Sequence, residues 1–175
     1  MPSAPARFPA FSRLLHWVMA AMILTMLSIG VAMVVSLGNY HVLVSIHRPL
    51  GIAILLLAAV RFVNRQLSPP PPFPATMSAL ERRAAVASER AMYGLMFLLP
   101  LVGWGMLSAA RYPIVVYGSL HLPFILPHSP MLYAVLRQTH TMLAYLFFVT
   151  FLAHIAAILF HTLIVRDGLL RRMAP

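Results

Sequence analysis

The chain contains no cysteine and no lysine, and only three of its 175 residues are acidic: Glu81, Glu89 and Asp167. Without cysteine there is no disulfide, no thiolate metal site, no cysteine-ligated iron–sulfur cluster and no thioether-attached haem. Charged residues make up 9 % of the chain, against about a quarter in an ordinary soluble domain. With 61 % hydrophobic residues and a mean hydropathy of +0.87, a water-soluble enzyme is excluded, because that much apolar surface cannot face water. The net charge of +10 comes from thirteen arginines. Hydrophobic runs separate them, so no basic face for nucleic acid can form. They read instead as a topology signal.

What is present is three long uncharged runs and a fourth apolar segment interrupted by Arg48. A membrane helix needs about 20 mostly apolar residues. Leu14–His47 holds one span and a turn near Gly38-Asn39. Ala91–Ala110 lies between Arg90 and Arg111, and Gln138–Val165 between Arg137 and Arg166. From Pro49 to Val60 there are too few residues to cross, so the second span must take in Val42–Arg48 and run toward Asn64. Pro49 then sits in the first turn or kinks the helix. The expected architecture is all-α, an integral membrane four-helix bundle forming one domain over 1–175. Its helices are expected at roughly 12–36, 41–65, 78–110 and 131–166, the third opened by a capping box at Ser78-Ala79-Leu80-Glu81. The first span is read as retained, not as a cleaved signal. Ser68–Pro74 is a stiff proline-rich linker, and the apolar stretch Tyr112–Pro130 is expected to fold over the bundle end.

Arginine counts set the orientation. Arg7, Arg13, Arg61, Arg65, Arg82, Arg83, Arg90, Arg166, Arg171 and Arg172 share one side with all three acids. Arg48, Arg111 and Arg137 lie on the other. The positive-inside rule therefore puts both termini in the cytoplasm.

Four histidines carry the chemistry. His140 and His154 are fourteen residues apart, which puts them on one helix face about 21 Å apart along the axis. His16 lies at the cytoplasmic end of the first helix and His47 at the outer end of the second. Neutral imidazoles on facing helices can clamp a haem. Depth pairs His47 with His140 near the outer surface, and His16 with His154 nearer the cytoplasm. His161, one heptad beyond His154, matches the depth of His16 better if the last helix ends at Arg166. His154 fits if that helix protrudes. Gly51, four residues from His47, leaves room for a porphyrin, as Gly94, Gly103 and Gly105 can. Arg13 and Arg137 each stand three residues before a histidine, one turn toward water, where a propionate would lie. Interhelical hydrogen bonding by the histidines, snorkelling by the arginines and close helix packing at the glycines are the plainer readings. A histidine-based metal transporter is a third, and it predicts a colourless protein.

These residues resemble the bacterial cytochrome b561 family of four-helix membrane dihaem proteins. The resemblance runs through Arg13-Leu-Leu-His16-Trp17, His47 with Gly51, Tyr93, Pro100-Leu-Val-Gly103-Trp104, His140, His154, His161 and the ending Arg166-Asp167-Gly-Leu-Leu-Arg-Arg172-Met173. It implies two haem b groups, with iron held by His16 and His154 and by His47 and His140. It also implies a place in the bacterial inner membrane. Standalone members resemble superoxide oxidase, in which superoxide outside donates electrons and ubiquinone accepts them. The acid-free outer face with Arg48, Arg111 and Arg137 suits such an anion. His161 is then a candidate quinone site. The alternative is a non-catalytic electron-transfer subunit that docks another oxidoreductase through the loop at 112–130. Expected partners are membrane lipid, quinone, superoxide or a periplasmic electron donor, and a second copy of the chain in an oligomer. Glu89 departs from the family pattern, where histidine is frequent. An ion pair with Arg90 or Arg82 is the expected reading, and proton handling near a quinone the other.

Overall fold

A computed structural model of the chain describes residues 7–174. Four helices long and apolar enough to cross a membrane dominate it. They are α1 (Ala10–Val35), α2 (Tyr40–Leu67), α3 (Ala79–Ala109) and α4 (Pro130–Phe160). The chain is essentially all-α, as its uncharged runs predict.

The boundaries follow local chemistry. A short 3-10 turn, Leu37–Asn39, joins α1 to α2. Pro49 is the tenth residue of α2 and does not end it. Ser78 opens α3 with a complete capping box: its hydroxyl accepts from the Glu81 amide, and the Glu81 carboxylate accepts from the Ser78 amide. At α4, Ser129 caps the Leu132 amide and Pro130 occupies the first turn, where its missing N–H costs nothing.

Two features depart from the expected outline. The stretch at 112–130 contains a small antiparallel hairpin, β1 (Ile114–Tyr117) with β2 (Leu120–Leu122), turning at Gly118 with φ +52°. It returns over the bundle end as predicted. Trp104 Nε1 donates to the Pro123 carbonyl, the Ser108 hydroxyl accepts from the Ile125 amide, and Arg111 stacks 4.9 Å over Phe124. The second departure is at the end of α4. The regular helix stops at Phe160, and His161–Val165 forms a wider π turn that closes on Arg166 in the left-handed region, φ +56°. The tail then doubles back toward the start of the chain. The Phe8 amide donates to the Arg172 carbonyl, Trp17 Nε1 to the Met173 carbonyl and Asn64 Nδ2 to Ser12 Oγ. Arg172 reaches the Pro72 carbonyl of the linker.

The packed core is small. Met19, Ile23, Ile54, Ala58, Tyr93, Leu95, Met96 and Phe147 form it. Helix α1 packs on α2, α2 on α3, and α3 on α4, while α4 hardly approaches α1 or α2. That open seam is the structural fact on which the site depends. A cleft of about 440 Å³ runs along it between Leu24–Val35 of α1 and Phe148 and Phe151 of α4.

Candidate functional site

Two histidine rings oppose each other across the seam. At the hairpin end, the rings of His47 (α2) and His140 (α4) stand 6.2 Å apart, centroid to centroid, and inclined at 68°. Two imidazoles that share one metal ion at about 2 Å per bond have their centroids about 6 Å apart. His140 is pre-set for that role. Its Nδ1–H donates to the Leu99 carbonyl at 3.1 Å, which leaves Nε2 as the lone-pair nitrogen. A metal-bound imidazole is commonly oriented in this way. Gly103 packs against that ring: a Cβ there would stand in ordinary contact, 3.4 Å from His140 Cε1 and 3.5 Å from Nδ1, and a larger side chain would displace the ring. So this glycine accommodates the imidazole itself. Gly51 faces Met26, 3.6 Å from where a Cβ would stand, and Gly94 faces open space. Gly105 seats the returning loop, its Cβ position 3.0 Å from Leu126 Cδ1.

At the other level, helix counting gives the depth. His16 lies six residues inside the start of α1, Arg61 six before the end of α2, and His154 six before the end of α4. His16 and Arg61 therefore sit about 9 Å from the terminus-bearing end of the bundle, while the helical path runs on past His154 through the π turn to Val165. Arg61 Nη2 donates to His16 Nδ1 at 2.9 Å, and His154 lies within electrostatic range of His16. Arg61 belongs to this level, and the same depth count applied to the sequence would have found it.

His161 is elsewhere. It is buried in the π turn, and its Nδ1 lies 2.7 Å from Asp167 Oδ2, with the two side chains 7 % and 2 % exposed. Asp167 also accepts from Thr76 Oγ1 and from the Leu169 amide. Burial pushes this carboxyl up, but the bond from His161 and those from Leu169 and Thr76 outweigh it and hold it below its ordinary range. The pairing of Asp167 with His161 was not foreseen because the two lie six residues apart, across a turn that the left-handed Arg166 and Gly168 create.

The arginines divide. Arg13 is half-buried, donates to the Phe8 carbonyl at 3.2 Å and keeps a buried Nε without a partner. Arg48 reaches the Pro113 carbonyl at 3.4 Å, and its Nε, like the adjacent His47 Nδ1, is buried and unpaired. Arg137 is exposed and makes no side-chain hydrogen bond in the structure. Glu89 pairs with Arg65 of α2, at 2.7 and 3.3 Å, not with Arg90 or Arg82. The end of α2 returns beside the start of α3 after the proline linker, so the interhelical partner is the closer one.

Facing imidazoles, an open seam, an imidazole locked in the ligating tautomer and orphaned polar nitrogens beside it all fit a planar, iron-bearing, anionic macrocycle. The profile of Prokaryotic cytochrome b561 matches residues 7–175. The chain belongs to that family. It is similar to Cytochrome b561 homolog 2 of Escherichia coli (strain K12), with 30 % identity over 98 % of this chain and 93 % of that protein. It is also similar to the Probable superoxide oxidase CybB of Yersinia pestis, with 28 % identity over 74 % of this chain and 73 % of that one. This is therefore a bacterial membrane protein of an electron-transfer family whose prosthetic group is haem b.

Proposed function

We propose that this chain is a dihaem cytochrome that passes electrons from the periplasmic face to membrane quinone. His47 and His140 would hold one haem iron, and His16 and His154 the other. The observation that carries the reading is the 6.2 Å opposition of His47 and His140. When bound, a bis-histidine haem supplies one-electron transfer with no open coordination position. Under this reading both termini lie in the cytoplasm and the membrane is the bacterial inner membrane, as the arginine distribution argues.

The favoured reaction is superoxide:ubiquinone oxidoreduction. Two superoxide anions each lose one electron and leave as O₂, and one quinone takes both electrons with two protons. The protein's part at the outer face is electrostatic. Arg48, Arg111 and Arg137 stand there without an acid and draw a small anion in. At the inner face His161 would handle the quinone's proton. With Nδ1–H directed at Asp167, its other nitrogen is left to accept or pass a proton. The name of the Yersinia relative supports this reading.

The test is stopped flow on the purified, oxidised protein mixed with superoxide alone. Fast reduction of the haem bands, then reoxidation by added ubiquinone, is expected. His161→Ala should slow the second phase and leave both haem spectra in place. A protein inert to superoxide would favour the other reading, a subunit that receives electrons from a docked partner. The exposed Leu120, Phe124 and Ile125 around the hairpin offer such a partner its surface.

A further inference from the structure

We propose that the cytoplasmic extension of α3 is a binding site for the headgroup of an anionic phospholipid, formed by Arg82, Arg83 and Arg90 over a floor of Val86 and Ala87. These five residues line one open groove of about 380 Å³. Positions 82, 86 and 90 follow one helix face at a spacing of four, and 83 and 87 stand beside them, so the stripe rises about 12 Å along the axis. Arg90 is the last charge before the uncharged run Ala91–Ala110. One end of the groove therefore meets the hydrocarbon boundary, where a lipid phosphate lies.

Charge accounting inside the chain decides what the groove needs. The whole sequence holds three acids, and each is committed elsewhere. Glu81 is engaged in the Ser78 capping box, Glu89 in the pair with Arg65, and Asp167 in the buried pair with His161. Arg82 donates from Nε to the Met77 carbonyl, which leaves its terminal nitrogens. Arg83 and Arg90 are exposed, and the structure gives neither a hydrogen bond nor an ion pair. Three guanidinium groups thus share a groove with no carboxylate of their own. Among the described residues no acid stands free to neutralise them, so an external anion can take that place. Planar guanidinium matches a phosphate diester with two parallel hydrogen bonds, and Val86 with Ala87 gives the glycerol backbone an apolar seat. Basic clusters beside a membrane span recognise anionic lipid on these grounds.

The experiment is native mass spectrometry of the full-length, haem-loaded protein released from detergent micelles doped with phosphatidylglycerol or with phosphatidylcholine, and in parallel with inorganic phosphate. The expected result is retention of phosphatidylglycerol, little phosphatidylcholine, and no adduct from phosphate at the same concentration. Replacing Arg82, Arg83 and Arg90 together by Gln should remove the lipid adduct, with about a fivefold loss of retention for each arginine. A control that removes two positive charges at the opposite end, R111Q with R137Q, should leave it. The single variant Arg83→Gln disturbs no hydrogen bond of the protein, and it alone should lower retention about fivefold if the triple variant does not fold. Equal retention of the two lipids, equal loss in the control, unchanged retention in Arg83→Gln, or an equal adduct from inorganic phosphate would each overturn the proposal. None of these results bears on the electron-transfer reading, which stopped flow tests separately.

Discussion

Gly103 sets a quantitative test of the proposed haem site at His47 and His140. An added methyl there would meet the His140 ring at 3.4 Å, at the close end of van der Waals contact. Gly103→Ala therefore fits with little or no shift and should keep the haem. Gly103→Val projects two further carbons toward the ring, beyond what so small a shift absorbs. The imidazole must turn, and its 3.1 Å bond to the Leu99 carbonyl is lost. Removing such a support of a metal-bound histidine lowers affinity about 10- to 100-fold, or about 1.4 to 2.7 kcal/mol. Overpacking a filled site costs about 1–3 kcal/mol, so the two routes to the number agree. The assay is haem-to-protein stoichiometry by pyridine haemochrome at limiting haem, with a redox titration of what remains. Gly103→Val should fall from two haems toward one, and the survivor should titrate as the component belonging to His16 and His154. Full occupancy with both midpoint potentials unchanged would refute the idea that this glycine makes the space for His140.

Three other perturbations test the parts around the site. The Asp167 carboxyl is held below its ordinary value of 3.8, so its stabilisation is present at neutral pH and is lost as pH falls below about 4. Asp167→Asn should lower Tm at pH 7 and narrow its gap to the parent toward pH 3; a gap constant with pH would sink this. Ser78→Ala removes one half of the capping box and should cost about 1 kcal/mol, seen as faster amide exchange confined to the first turns of α3. The pair of Arg65 with Glu89 is 31 % and 38 % exposed, so a double-mutant cycle should give a coupling below about 1 kcal/mol that weakens with salt. A coupling well above that would reopen a proton-handling role for Glu89.

The spans were legible because the bilayer imposes one rule, length without charge; three runs obey it outright, and the second span does so only by taking in Arg48. The helix ends were harder. Pro49 stays within α2, although proline ordinarily ends a helix, and α4 leaves its regular winding at Phe160 well before the charge at Arg166. That early exit carries His161 into the π turn and against Asp167. The hairpin could have been foreseen from Ile114-Val115-Val116-Tyr117 followed by Gly118-Ser119, a β-branched run before a turn pair. Its apolar composition masked that signal. Contacts between helices were mostly beyond sequence reasoning. Glu89 chose Arg65, twenty-four residues away, because neighbours across a linker do not show in local spacing.

The weakly closed side between the last helix and the first has a consequence for how the protein is assembled. A porphyrin dissolves readily in lipid, and this flank faces lipid. The polypeptide can thus complete its insertion first and admit each pigment sideways through the acyl-chain phase, without unthreading a loop. Loading would then be limited by breathing of the terminal helix, so bilayer thickness and fluidity, more than aqueous conditions, would set how quickly the protein acquires its colour.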